Sequence, residues 1–267
     1  MSRRAALPSR ILIPLANPRT AADLVSIGAA LLAHGGVLTA LSIVEVPEGM
    51  SLSEGATRAR QARRLLQRVL EFAPDGVDLR TVVRIGRRAA EGIVELAAED
   101  EADLVIFGWG GRTAGRRGDP DEPVFSATID EVVRDAPCDI AVVKQRGNAD
   151  VKRILVPVGG GPHAELALRF AAALGARFDA PVDALHVVAP DLDPTLQSQA
   201  ERALAMFVRQ HAGEVPRPLV ASGPDVGAEI MRAAADAEIV VMGASVVGAT
   251  DGSPFGELPE TVAQGAG

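Results

Sequence analysis

Few side chains in this sequence have the type and spacing for chemistry, and those that do point towards anions. The run Gly108-Trp109-Gly110-Gly111 is followed by Arg112, Arg116 and Arg117. Glycines let backbone N–H groups approach phosphate oxygens, and guanidinium forks meet the same oxygens bidentately. Equally, the glycines could serve only a strand-to-helix turn with positive φ, and the arginines a solvated loop. Trp109 could stack on an adenine or pack at a domain interface. A second run, Gly159-Gly160-Gly161, leaves room for a small anion, and His163 follows it at the first turn of a helix, near an expected ligand crevice. The other histidines, His34, His186 and His211, show no metal-ligand spacing. Cys138 is the lone cysteine, which excludes an intrachain disulfide. It lies in the apolar run 138–143 and reads as a small buried hydrophobe. No nucleophile elbow or Walker loop is present, and neither glycine loop holds a general base. No catalytic residue and no metal site are therefore expected.

The elements that position these residues occur twice. Arg10-Ile11-Leu12-Ile13-Pro14 recurs as Arg153-Ile154-Leu155-Val156-Pro157, and Ala102-Asp103-Leu104-Val105-Ile106-Phe107-Gly108 as Ala237-Glu238-Ile239-Val240-Val241-Met242-Gly243. Gly86 with Ile93 recurs as Gly223 with Ile230, and Phe125 with Val132 as Phe255 with Val262. The offset falls from 143 to 130, so the second copy is shorter. In the first copy, patterning predicts strands at 10–15, 37–44, 79–85, 104–107 and 140–143, and helices at 19–34, 54–73, 89–99 and 126–135. The fourth strand of the second copy is expected at 239–242. Continuous apolar strands alternating with helices require right-handed crossovers and a parallel sheet covered on both faces. Ligands of such sheets sit beyond the carboxyl ends of the strands, near the switch point of strand order. No counterpart of Cys138–Lys144 follows Val262, so the second copy is expected to lack a fifth strand. Strand Asp139–Lys144 is expected to lie where the two domains, 1–147 and 148–267, meet as an intramolecular pseudo-dimer.

Composition narrows the function classes. Hydrophobic residues make up 48% and aromatics 3%, with no tyrosine, which argues against a sugar cleft or a base-stacking surface. A net charge of −8 argues against nucleic acid as a partner. No apolar stretch reaches the roughly 20 residues of a membrane span, and Met1-Ser2-Arg3-Arg4 is not followed by a signal-peptide core. A cytoplasmic location is expected. The arginines of helix 54–73 (Arg58, Arg60, Arg63, Arg64 and Arg68) read as a soluble face.

The run Ile154-Leu155-Val156-Pro157-Val158, the glycine ending each fourth strand, and the segment Phe125-Ser126-Ala127 through Glu131-Val132-Val133 to Ala136-Pro137-Cys138 resemble the universal stress protein family. The resemblance covers almost the whole chain, twice. It implies two tandem doubly wound parallel α/β sheets, of the adenine nucleotide alpha hydrolase-like kind with flavodoxin-like layering. Members that bind ATP carry Gly, two residues, Gly, nine residues, Gly and Ser or Thr after the fourth strand, and an Asp at the end of the first. Carried over, the candidate ligand residues are Ala16, Asn17, Gly108, Gly111, Arg112, Ser126 and Ala127 in the first half. In the second they are Gly159, Gly160, Gly243, Ser245 and Gly256. The departures are specific. Gly108 and Ser126 stand 18 residues apart where the pattern expects 13, Val246 replaces the middle glycine, Glu257 replaces the Ser/Thr, and Ala16 and Gly159 replace the Asp. A pyrophosphatase loop of the Ser-Gly-Gly-x-Asp-Ser type is also incomplete at Gly159–Gly161.

The resemblance implies a non-enzymatic stress-response or regulatory protein, with ATP or another adenine nucleotide as the ligand of the first half. The alternative is a partner-docking module that has lost nucleotide binding, similar to the tandem region some amino-acid permeases carry on their cytosolic end. A slow ATP hydrolase is the least supported reading. A homodimer and an unidentified protein partner are compatible with either of the first two.

Overall fold

The computed structural model describes residues 6–49, 51, 55–109, 125–144, 151–160, 163–244 and 254–265. Strands and helices alternate through both halves, because apolar runs of four to nine residues are followed by stretches with helical spacing. In the first half the order is β1 (Arg10–Pro14), α1 (Ala21–Leu31), β2 (Val37–Glu45), α2 (Ala56–Val69), β3 (Asp78–Gly86), α3 (Ala89–Glu99), β4 (Leu104–Trp109), α4 (Ala127–Asp135) and β5 (Asp139–Lys144). The second half runs β6 (Ile154–Pro157), α5 (Ala164–Phe178), β7 (Val182–Val188), α6 (Pro194–Ala212), β8 (Pro216–Ser222), α7 (Val226–Ala234), β9 (Ile239–Val240) and α8 (Glu257–Gly265).

The strands form two parallel sheets, ordered β3-β2-β1-β4-β5 and β8-β7-β6-β9. In each, strand order reverses beside the first strand of the half, between β1 and β4 and between β6 and β9. The central strands are buried on both faces: Ile11, Leu12, Ile13, Leu38, Val105 and Ile106 are at most 1% exposed. That is why they read as continuous apolar runs and not as alternating ones.

Three local differences from the sequence pattern have identifiable causes. Helix α1 is shorter than 19–34. A 3₁₀ turn at Pro18–Thr20 precedes it, shaped by Asn17, whose Oδ1 accepts from the Arg19 amide at 3.0 Å. At its other end Leu32 adopts extended backbone and the chain turns at Gly35, where φ is +74°. Strand β9 spans two residues, not 239–242, although the Val241 amide still donates to Leu155 O at 2.8 Å. Strand β4 runs further than 104–107, through Gly108 and Trp109, which pair with Val143 and Lys144 of β5.

The duplication extends to side-chain chemistry. Asp103, just before β4, accepts from the amides of Ser9 and Arg10 at 2.9 and 3.0 Å. Its counterpart Glu238, just before β9, accepts from those of Lys152 and Arg153 at 2.9 and 2.8 Å. Each carboxylate ties the start of the fourth strand to the start of the first. The two amides hold the Glu238 carboxyl below its ordinary range, because they stabilise the charged form. In the second half a buried carboxylate also pairs across the sheet. Asp183 of β7, 4% exposed, lies opposite Arg217 of β8 and takes a bidentate bond from its Nε and an Nη at 2.9 and 3.1 Å.

Candidate functional site

At the carboxyl ends of β6 and β7, where parallel sheets hold ligands, the second half contains a cavity of about 300 Å³. Its floor is the chain leaving β6. The Val158 amide donates to Leu185 O at 2.7 Å, extending the sheet by one residue, and Gly159 and Gly160 follow. A Cβ built on either glycine would meet nothing within 4 Å. Neither has positive φ, so these glycines do not make a left-handed turn. What their missing side chains provide is empty space at the mouth.

One wall is α6. Ala200, Ala203, Leu204 and Phe207 all line the cavity and recur at i, i+3, i+4 and i+7, so one stripe of the helix faces it. Small residues at 200 and 203 leave volume between helix and sheet, and Phe207 supplies an aromatic ring. Asp193 caps the helix by accepting from the Thr195 amide at 2.8 Å, with Pro194 in its first turn, which fixes where the stripe begins. Ala164, at the start of α5, contributes to the opposite side.

Among the described residues, His186, on β7, is the one lining residue with a polar side chain. Its Nδ1 lies 2.8 Å from Val158 O. A carbonyl oxygen only accepts, so Nδ1 carries the proton, and in the neutral ring Nε2 is an acceptor for a donor on a ligand. Behind the wall, the Phe207 and His211 rings lie 4.5 Å apart, and His211 Nδ1 is 3.4 Å from Glu165 Oε1, which also pairs with Arg169 at 3.3 Å. An apolar slot of this size with one aromatic ring and one histidine acceptor can take a flat heterocycle bearing an N–H edge. Among the described residues no cluster of His, Cys, Asp or Glu could hold a metal ion.

The sequence candidates divide. Gly159 and Gly160 line the cavity; His163 does not, although it precedes α5 directly. Gly243 has a packing role. A Cβ there would stand 2.8 Å from both C and O of His163, so glycine is what lets the chain after β9 pass the start of α5. Gly256, at φ +87°, makes the turn into α8, and its carbonyl accepts from the Glu260 amide at 3.3 Å. The expectation of positive φ holds at Gly256 but not at Gly108, which lies within β4, nor at Gly159, Gly160 or Gly243. Gly111, Arg112 and Ser245 lie outside the described residues.

In the first half, Ala16 and Asn17 follow β1, while Gly108 lies in the neighbouring strand β4, with Leu24 Cδ1 2.9 Å from where its Cβ would be. Ser126 caps α4, its Oγ accepting from the Ile129 amide at 3.4 Å, and Ala127 is the first helical residue. Trp109, offered by the sequence either to stack on an adenine or to pack at a domain interface, is packed within the first half. It is 6% exposed, its ring is 5.1 Å from Phe125, and the Lys144 Nζ stands 5.7 Å from its centroid.

Sequence reasoning missed His186 and the α6 stripe. The signals were a histidine in the second strand of the copy, where Ser42 stands in the first, and a small-small-large-aromatic order along one helical face. Cys138, expected to be buried, is half-buried and directly precedes β5. Burial first, then the nearby Asp139 and Asp103, push its thiol up to about 11. Alkylation by iodoacetamide is therefore expected to be slow at pH 7.4, where roughly a few molecules in ten thousand carry the thiolate. The rate should rise about tenfold per pH unit towards 11; a plateau near pH 8.5 would contradict this.

No helix among the described residues is long and apolar enough to cross a membrane. Residues 8–144 and 150–267 each match the model of the universal stress protein family. Over 257 residues the chain is 28% identical to the Na⁺/H⁺ antiporter NhaS5 of Synechocystis; the match covers 94% of this chain and 36% of that one, so the chain spans about a third of its relative. A universal stress protein from Archaeoglobus fulgidus superposes with a TM-score of 0.65 at 16% identity, covering 97% of this chain and 93% of that one. The cytoplasmic domain of a prokaryotic cation chloride cotransporter superposes with a TM-score of 0.58 at 14% identity, covering 96% and 92%. At these identities the structural likeness establishes the fold.

Proposed function

Since the chain belongs to the universal stress protein family, we propose that it is a non-enzymatic regulatory protein of the cytoplasm that responds to an adenine nucleotide. The observation that carries this reading is the cavity at the carboxyl ends of β6 and β7, where Gly159 and Gly160 leave space beside His186 and Phe207. The adenine ring would lie against Phe207 and the α6 stripe, with its exocyclic amino group donating to His186 Nε2. The phosphates would extend past the glycines, where no side chain stands in the way. This puts the ligand in the second half, whereas the loop pattern of the sequence favours the first. Gly108, Gly111, Arg112, Ser126 and Ala127 remain candidates for a second nucleotide, with Ser126 and Ala127 at the N-terminus of α4, whose dipole favours anions.

A second reading follows from the antiporter match, which extends over nearly the whole chain. On this reading the two domains dock on a transport protein and regulate it without any nucleotide. Titration of the purified chain with ATP, ADP and AMP, with and without Mg²⁺, separates the two. Nucleotide binding predicts a rise in melting temperature, since a ligand at a hundred times its Kd stabilises the folded state by about 2.7 kcal/mol. No heat and no melting shift at millimolar nucleotide would leave the docking reading. ATP turnover abolished by changing a cavity or loop residue would overturn the non-enzymatic assignment.

A further inference from the structure

Helix α2 carries five arginines and no acidic residue in Ala56–Val69. All five, Arg58, Arg60, Arg63, Arg64 and Arg68, are exposed, and none pairs with a carboxylate among the described residues. Arg58 reaches the Glu45 carbonyl at 3.5 Å and Arg60 the Thr57 hydroxyl at 3.0 Å, neither of which carries a compensating charge. Three other exposed arginines of this half are matched, Arg10 with Glu101, Arg80 with Asp78, and Arg88 with Glu91 and Glu131, whereas Arg19, Arg87 and Arg134 have no carboxylate partner among the described residues. The chain carries −8 overall although this helix carries +5, so the remainder carries −13. A helix of this charge in an otherwise acidic chain is a local attractor for an anionic surface.

The shape of the face identifies the partner. At about 100° per residue, the five arginines spread over an arc of about 220°, opposite the buried Ala59, Leu66 and Val69. Such an arc is convex and offers no groove for a peptide. Exposed apolar side chains flank it at both ends. Ile85, 37% exposed, stands beside Gly55 at the amino end, with its Cγ2 2.9 Å from where a Gly55 Cβ would be. Leu70 and Phe72, 42% and 45% exposed, follow the carboxyl end. A convex basic face with apolar side chains at its two ends matches a flat anionic surface whose headgroup layer admits those side chains.

We propose that α2 docks the protein on an anionic phospholipid surface, independently of the ligand cavity. The test is sedimentation of the full chain with vesicles of phosphatidylcholine alone and of phosphatidylcholine with phosphatidylglycerol, at low salt. The chain should partition onto the anionic vesicles, stay free of the neutral ones and be released by high salt. The triple change Arg60→Gln, Arg64→Gln and Arg68→Gln should weaken partitioning on the order of a hundredfold. The matching triple change to lysine should retain it, and Phe72→Ser should weaken it with the charge intact. Circular dichroism of the variants should be unchanged, since every altered side chain is exposed. Absence of binding to anionic vesicles, or undiminished binding by the glutamine variant, overturns the proposal. Binding of a polyglutamate peptide without any binding to vesicles overturns it in favour of an acidic protein segment.

Discussion

A leucine at position 159 is expected to abolish nucleotide binding while leaving the protein folded. Gly159 lines the cavity, its φ is not positive, and a Cβ there would meet nothing within 4 Å. The substituted side chain therefore causes no strain in the backbone and occupies the volume a ligand would need. Four added carbons are a large fraction of a 300 Å³ slot, so affinity should fall at least about a hundredfold. Stability should stay within about 0.5 kcal/mol of the parent or rise, because glycine is the most flexible residue in the unfolded chain. Gly159→Ala is the control. Its methyl group fills little of the space and should cost affinity much less. The measurement is calorimetric titration with ATP alongside urea unfolding. Parent-like binding by the leucine variant would remove the cavity from the proposed site, even if the chain binds nucleotide elsewhere.

The largest stability effect is expected at Arg217. Asp183 is 4% exposed, and Arg217 supplies both of the hydrogen bonds that its carboxylate receives from side chains; Arg153 stands further off at 3.8 Å. Removing one partner of a buried pair leaves an uncompensated charge, which costs about 3–5 kcal/mol in well-buried cases. Arg217 itself is 63% exposed and Arg153 gives partial relief, so Arg217→Ala should cost about 2–3 kcal/mol. The sign of the double variant is decisive. With Asp183→Ala added, no buried charge remains, and part of the loss should be recovered, because the penalty comes from the orphaned carboxylate more than from the lost attraction. Urea midpoints of the two variants measure this. A double variant less stable than Arg217→Ala would mean that the carboxylate makes its contribution by another route.

Much of the architecture could be read from the residues, for a physical reason. Strands such as Ile11–Ile13 and Leu104–Phe107 are buried on both faces, and burial on both faces appears in sequence as an unbroken apolar run. Helix α3 was legible to the residue because its apolar positions recur at 3.6 and its ends coincide with changes of polarity. The duplication was legible because paired carboxylates, strand starts and glycines recur in order. Less legible were short-range competitions. The Asn17 side chain shapes a 3₁₀ turn where periodicity continues a helix, and β9 stops at Val240 while its apolar run continues to Met242.

The order and type of the elements therefore follow from the amino-acid sequence by itself. Which glycine serves which purpose was decided only by the tertiary structure. Gly243 passes against the His163 backbone, Gly256 turns the chain, and Gly159 and Gly160 open onto a cavity; all four look alike in one dimension. The cavity itself is a distance between α6 and the sheet, set by Ala200 and Ala203 on one element and His186 on another. Periodicity reports which face of an element is buried, but not how far apart two buried faces stand.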